Sequence, residues 1–185
     1  MPFARFETVP EAEILGQAIL AVTQSINYEM YRHLFEAGLK AYGFDTTIDP
    51  EKWYPLQMLL NIYKSFYDKP NASSNLVAVG MKVIEASPFP PEVDSVQKAV
   101  ETLNYIYTVY VRNYEPGTEY EIKVISPDEI QIVDHTHFPH DLIYGYMFAI
   151  AKRFAPKGKH IIVTREYLNP ENPDADGAIY YFKTK

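Results

Sequence analysis

Residues 119–134 read EYEIKVISPDEIQIVD, and in this stretch the apolar residues change from a helical to an alternating period. Tyr120, Ile122 and Val124 alternate with charged residues, which is the two-residue period of a half-buried strand. The PDE segment supplies turn chemistry, and the IQIVD segment then alternates again. Because a turn this short cannot make the crossover that parallel strands need, the stretch predicts an antiparallel hairpin.

The residues after this hairpin predict one helix and two further strands. The segment DLIYGYMFAIAKRF places apolar residues at helical spacing, which predicts a helix over residues 141–154. KHIIVTREYL and AIYYFKTK predict strands at about 159–168 and 177–183. With the hairpin strands at about 118–125 and 129–135, the C-terminal part reads β-β-α-β-β, an antiparallel sheet covered by a helix.

The residues before the hairpin carry the period of amphipathic helices. Five helices are expected: from near Pro10, over about 27–42, from Pro55 to about Tyr67, up to about Ala86, and over about 93–110. The fold class is therefore α+β, with an N-terminal helical layer of about five helices followed by the antiparallel sheet. We interpret residues 1–185 as a single domain, with a helical part at 1–113 and a sheet part with its helix at 114–185.

Composition excludes several classes of function. The chain of 185 residues carries a formal net charge of −7 and has no cluster of Lys and Arg, which argues against nucleic-acid binding. It has no cysteine, so disulfides and thiolate zinc ligands are excluded. No run of apolar residues approaches the roughly 20 that a membrane span needs, and no signal peptide is recognisable, so we expect a cytoplasmic protein.

Three of the five histidines lie close together in the segment VDHTHFPHDLIYG. His135 and His137 would lie on one face of a continued strand, and His140 could join them to ligate zinc. The His-x-His-x-x-His spacing resembles the zinc motif of the metallo-β-lactamase family, but Pro139 stands where that family has Asp. The interpretation that we favour is a strand-to-helix turn in which His140 or Asp141 caps the helix.

The order of the elements resembles a ligand-binding fold shared by 4-vinyl-reductase-type domains, TRAPP vesicle-transport subunits and, more distantly, haem-nitric oxide/oxygen sensors. The segments that carry this resemblance are FPHDLIYGYMFAIAKRF and HIIVTREYLNPENPDADGAIYYFKTK, with Gly145 and Gly177 at comparable places. Two further segments, WYPLQMLLNIYKSFYD and VAVGMKVIEAS, resemble an uncharacterised bacterial family of similar length, best known from myxobacteria.

The chain departs from these families at the residues that would carry their chemistry. The cysteines that many 4-vinyl-reductase-type domains place in the last two strands are absent. The Tyr-x-Ser-x-Arg haem-propionate motif of the gas sensors is also missing, and YVRNY is the nearest string. The resemblance therefore implies a non-enzymatic sensor or binding domain that holds a small apolar ligand or mediates protein association.

Candidate ligand-binding residues lie on the two helices that we expect to face the sheet: Tyr105, Tyr110, Tyr144, Met147 and Phe148. Two alternatives stay open, namely a metal-dependent enzyme or zinc-binding protein at the histidine cluster, and a haem-binding gas sensor, for which His33 is a candidate iron ligand. Neither zinc nor haem is favoured. We expect a homodimer built from the helical half, and a signalling protein is a candidate partner.

Overall fold

The computed structural model describes residues 5–25, 28–114 and 119–185. The helices within these ranges are α1 (Gly16–Thr23), α2 (Tyr28–Ala41), α3 (Leu56–Tyr67), α4 (Ala72–Ala86), α5 (Val96–Glu101), α6 (Leu103–Tyr110) and α7 (His140–Phe154). The strands are β1 (Glu13–Leu15), β2 (Trp53–Pro55), β3 (Val111–Arg112), β4 (Tyr120–Ser126), β5 (Glu129–Asp134), β6 (Ile161–Tyr167) and β7 (Ala178–Thr184). This architecture confirms the α+β fold class.

The larger sheet is the one predicted from the alternating segments. Its strand order is β4-β5-β7-β6, and every neighbouring pair is antiparallel. Apolar side chains of the inner face, such as Ile132 and Tyr180, are fully buried against α7 and the helical part. Residues 27 and 118, which we predicted to begin a helix and a strand, lie outside the described residues.

Helices α4 and α7 cross at a pair of glycines, and this contact joins the helical part to the sheet part. A Cβ atom on Gly80 would lie 2.0 Å from the carbonyl oxygen of Leu142, and one on Gly145 would lie 2.3 Å from that of Val77. Only residues without a side chain permit this close an approach of two backbones. One hydrophobic cluster consequently runs through both parts of the chain.

A second, smaller sheet was not predicted from the sequence. Strand β1 pairs antiparallel with both β2 and β3, and each of these strands has only two or three residues. Such strands are too short to show an alternating pattern. Because β1 occupies residues 13–15, the first helix begins at Gly16 rather than near Pro10, which corrects the predicted start.

The long helix predicted over residues 93–110 is interrupted at Thr102, which corrects that prediction. Thr102 separates α5 from α6, and its hydroxyl donates a hydrogen bond to the carbonyl oxygen of Ala99 at 2.8 Å. A threonine that bonds to the preceding turn competes with the helical ladder and bends or ends it. The apolar period continues across the interruption, so periodicity alone did not reveal it.

Candidate functional site

A small internal cavity lies where the helical part meets the sheet part. Its volume is about 40 Å³, which is room for about three water molecules at ~10–15 Å³ each. The walls come from β1, α1, α4, α6, β3, β4, α7 and the loop before α7, through the residues Ile14, Ala18, Val83, Ile84, Leu103, Ile106, Tyr107, Tyr110, Val111, Tyr120, Phe138 and Tyr146. The lining is apolar apart from four tyrosine hydroxyls.

The four tyrosines are neutral phenols at physiological pH. Burial raises the pKa of Tyr107, Tyr120 and Tyr146 well above the ordinary value, and it raises that of Tyr110 as well. The negative charge of Asp134 adds to the rise in the pKa of Tyr107, Tyr120 and Tyr146. These hydroxyls can therefore donate or accept hydrogen bonds, but they do not supply a phenolate.

The hydroxyl of Tyr107 is the unusual group in this lining. It is buried and has no hydrogen-bond partner within residues 5–25, 28–114 and 119–185. The great majority of buried polar side-chain atoms in native proteins do have such a partner. Tyr107 is thus a lining residue whose buried hydroxyl has no partner among the described residues.

Helix α6 is attached to strand β4 by the side chain of Asn104. Its Nδ2 donates to the carbonyl oxygen of Tyr120 at 2.9 Å, while its Oδ1 accepts from the backbone N–H of Tyr120 at 3.0 Å. The asparagine amide therefore takes the place of a paired strand residue. These two hydrogen bonds attach α6, which carries Tyr107, to β4, which begins with Tyr120.

The five candidate ligand-binding residues are placed in different environments. Tyr110 lines the cavity. Tyr105 and Phe148 point outward, with 58% and 41% of their surface exposed. Met147 is fully buried and is not part of the lining, and the Tyr144 hydroxyl donates to the carbonyl oxygen of Val163 at 3.2 Å.

Sequence reasoning missed three of the four tyrosines in the lining, namely Tyr107, Tyr120 and Tyr146. Tyr107 follows the same apolar stripe as Tyr110, three residues away along α6, so helical spacing supplied a signal for it. Tyr146 lies next to Met147 on α7, but the rotation of that helix decides which of the two faces the cavity. No local pattern contains this rotation.

The three clustered histidines have separate environments. His135 is partly exposed and lies 3.3 Å from the Glu121 carboxylate, and the ring of His137 meets the ring of Tyr114 edge-on. His140 is buried, and its Nε2 lies 2.8 Å from the carbonyl oxygen of Pro173. In the part of the chain that the structure describes, no three metal-ligating side chains are grouped so that they could hold an ion.

The predicted helix cap at the histidine cluster is wrong. Helix α7 begins at His140, and the capping position is Pro139, which supplies no side-chain hydrogen bond. Asp141 instead pairs with Arg165, whose Nη1 lies 2.8 Å from its carboxylate. The strand-to-helix turn is therefore held by partners that are distant in the sequence.

A cluster of buried polar residues attaches the N-terminal segment to the sheet part. The Arg5 guanidinium donates to the carbonyl oxygens of Thr136 at 3.1 Å, Asp176 at 2.7 Å and Phe138, and it lies 3.7 Å from the Asp134 carboxylate. The Tyr180 hydroxyl donates to the backbone carbonyl of His140 at 2.9 Å. We call this group the Arg5 junction, and it comprises Arg5, Asp134, Thr136, His140 and Tyr180.

The backbone next to the Arg5 junction is held in a costly conformation. Phe6 has a φ of +65°, which is uncommon for a residue with a bulky side chain. Its N–H donates to the carbonyl oxygen of His137 at 3.0 Å, and its ring meets that of Tyr67 at a centroid distance of 5.2 Å. These contacts hold Phe6 in place, and they connect α3 to the loop before α7.

A wider groove on the outside of α4 and α7 is a weaker candidate site. It has a volume of about 310 Å³ and is lined by Met81, Ile84, Glu85, Ala149, Lys152 and Arg153. Two of its three charged groups have partners, since Glu85 pairs with Lys82 at 2.6 Å and Arg153 donates to the carbonyl oxygen of Ile84 at 3.3 Å. The groove presents no unpaired buried group to a ligand.

Comparison with known structures shows which fold this is. An H-NOX protein from S. oneidensis in the Fe(II)NO ligation state superposes with a TM-score of 0.63 at 12% identity, over 93% of this chain and 99% of that one. An oxygen-binding H-NOX domain related to soluble guanylate cyclases superposes with a TM-score of 0.58 at 15% identity, over 92% of each chain. A T. tengcongensis H-NOX variant gives 0.60 at 13% identity, over 91% of this chain and 95% of that one.

The chain therefore has the H-NOX fold, and identities this low show the fold alone. The resemblance to haem-nitric oxide/oxygen sensors is confirmed at the level of the fold, and the resemblances to the other families stay predictions. No protein-family model and no curated protein sequence matches the chain. Among the described residues, no helix is long and apolar enough to cross a bilayer.

The cavity does not fit a haem group. None of its described lining residues is His, Met or Cys, and burial keeps its tyrosines as neutral phenols, which are poor iron ligands. His33, the candidate iron ligand on α2, is exposed and outside the lining. The volume of about 40 Å³ is also far below the ~300–1,000 Å³ of ordinary cofactor sites.

Proposed function

We propose that this protein is a sensor or binding domain with an H-NOX fold that holds a small, mostly apolar ligand in the internal cavity without haem. The observation that supports this proposal best is that Tyr107 lines that cavity and that its buried hydroxyl has no partner among the described residues. A buried polar group without a partner costs stability, and such groups are retained mainly where function needs them. The rest of the lining is apolar, as in most small-molecule sites.

The position of the cavity supports a sensing role. Ala18 and Val83 come from the helical part, whereas Tyr120 and Tyr146 come from the sheet part. A ligand between them contacts both parts at once, so it favours the arrangement of helices and sheet that fits it best. A ligand shifts a conformational equilibrium only through this kind of differential contact.

A haem-binding gas sensor is the second candidate, because the similar structures include an H-NOX protein with Fe(II)NO and one in its oxygen complex. The missing iron ligand and the small volume argue against it. Titration of the purified chain with hemin separates the two candidates. Our proposal expects no saturable Soret band at one haem per chain, and the appearance of such a band would replace it.

Xenon binding tests whether the cavity accepts an apolar guest. Dry apolar cavities take up xenon, so we expect xenon-dependent shifts in the methyl NMR signals of lining residues such as Val83 and Ile106. Ala18→Val places two additional methyl groups in the cavity and should weaken these shifts severalfold. Ala86→Val makes the same chemical change at an exposed site and serves as the control.

Two partner predictions stay proposals, namely the homodimer through the helical half and the signalling protein. Light scattering at micromolar concentration measures the first directly. A dimer that persists in Ala18→Val would show that association and ligand binding use different surfaces. A monomer would contradict the homodimer and would leave the cavity proposal unaffected.

A further inference from the structure

The hydroxyl of Tyr107 cannot easily find a partner by moving. Its ring lies between the rings of Tyr114 and Phe138, at centroid distances of 5.8 and 6.3 Å. Both contacts have the tilted or edge-on geometry that aromatic pairs prefer. These contacts restrict the ring, whose hydroxyl is buried in a residue that lines the cavity.

The surroundings of Tyr107 determine the charge of a suitable guest. The carboxylates of Glu119 and Asp134 are both buried and close enough to raise the pKa of the Tyr107 phenol further, after the larger effect of burial. The low polarity of the lining opposes an anionic guest, and two buried carboxylates near Tyr107 add to this. The lining also contains no carboxylate that could pair with a cation. A neutral molecule is the remaining choice.

The direction of the hydrogen bond follows from the same surroundings. A phenol with a raised pKa keeps its proton, so its O–H is a permanent donor. A guest that offers an oxygen acceptor gives this donor the partner that it lacks in the described structure. A guest that has neither an acceptor nor a donor fills the same space but leaves the hydroxyl unpaired.

We propose that the Tyr107 hydroxyl donates a hydrogen bond to a small neutral ligand that has an apolar body and one oxygen acceptor, such as a carbonyl or ether. This inference rests on the proposed function, since it assigns the ligand class of the same cavity. The volume of about 40 Å³ limits the ligand to a few non-hydrogen atoms.

Acetone and isobutene form a matched pair for the test, because they have nearly the same shape and only acetone has an oxygen acceptor. We would measure the binding of each by NMR titration of the 185-residue chain and of its Tyr107→Phe variant. One lost hydrogen bond should weaken acetone binding about 2- to 12-fold and leave isobutene binding unchanged. Tyr105→Phe changes an exposed tyrosine on the same helix and should alter neither.

The outcomes separate this inference from the proposed function. If isobutene binds and Tyr107→Phe leaves acetone binding unchanged, the hydrogen bond is wrong while the cavity stays a binding site. If xenon binds but neither larger molecule does, the ligand class is wrong in size. If none of the three guests shifts the signals of the lining residues, the inference and the proposed function both fail.

Discussion

Two buried tyrosines of this chain differ in whether the hydroxyl has a hydrogen-bond partner. Tyr180, in the Arg5 junction, donates its hydroxyl to the carbonyl oxygen of His140 at 2.9 Å. Tyr107, at the internal cavity, has no partner among the described residues. The Arg5 junction uses buried polar groups to fix how the N-terminal segment meets the sheet, whereas the cavity lining retains a polar group that no atom of the described residues uses. If our proposed function is correct, the two regions serve stability and binding respectively.

The largest effect is expected when the buried charge of the Arg5 junction is removed. Arg5→Met would leave the Asp134 carboxylate buried without its cation, and burial already raises the pKa of that carboxyl despite Arg5. Breaking a buried ion pair in this way costs about 3–5 kcal/mol, which urea denaturation measures. Arg32→Met removes one partner of an exposed pair and is the control, with a cost below about 1 kcal/mol. If both substitutions lowered the free energy of unfolding equally, the buried ion pair of the Arg5 junction would be no more stabilising than an exposed one.

Acid should weaken the Arg5 junction through His140. Burial, with the nearby charge of Arg5, lowers the pKa of His140 to about 4. In the unfolded chain this histidine has its ordinary pKa near 6.5. Between pH 4 and pH 6.5 the unfolded state therefore binds more protons than the native state. Above pH 6.5 the titration of His140 does not lower the free energy of unfolding. As the pH falls from 6.5 to 4, the free energy of unfolding decreases by about 3 kcal/mol because of this residue.

The His140→Phe variant isolates this effect from the titration of other groups. Unfolding free energies at pH 7 and pH 4 should differ less in the variant than in the parent chain, by about 3 kcal/mol. An equal pH dependence in both proteins would show that His140 does not titrate in this range. NMR titration of the ring measures the pKa directly.

A smaller loss is expected at Tyr180. Tyr180→Phe removes a hydrogen bond that is made and keeps the ring in place. The expected cost is about 1 kcal/mol, which corresponds to a fall of about 2–4 °C in the Tm of a chain of this length. A Tm that stays unchanged would show that this buried bond contributes nothing net.

The same Tyr-to-Phe substitution at Tyr107 should raise the free energy of unfolding instead of lowering it. This effect should be the smallest of the series. Tyr107→Phe removes a buried hydroxyl that has no partner in the described part of the chain, so the ligand-free protein should become more stable by up to about 1 kcal/mol. Thermal denaturation of both variants side by side makes the comparison. If Tyr107→Phe destabilises the protein as Tyr180→Phe does, then the Tyr107 hydroxyl has a partner such as a tightly bound water.

The sequence by itself determined the fold class and most of the elements of the larger sheet. The alternation in EYEIKVIS and IQIVD and the helical spacing in DLIYGYMFAIAKRF are local signals, and the corresponding elements β4, β5 and α7 begin and end within about two residues of their predicted bounds. Such patterns are readable because burial on one face repeats every two or every 3.6 residues. Tyr110 entered the candidate site through the same logic.

Only the tertiary structure decided which side chains meet. The contacts of Arg5 with Thr136 and Asp176 join residues more than 130 positions apart, and no local period contains them. The cavity depends in the same way on the rotation of α6 and α7, which places Tyr107 and Tyr146 in its lining and turns Tyr105 and Phe148 outward. That rotation is set by close packing, such as the approach of Gly80 to Gly145, and packing is a property of the assembled core rather than of any segment.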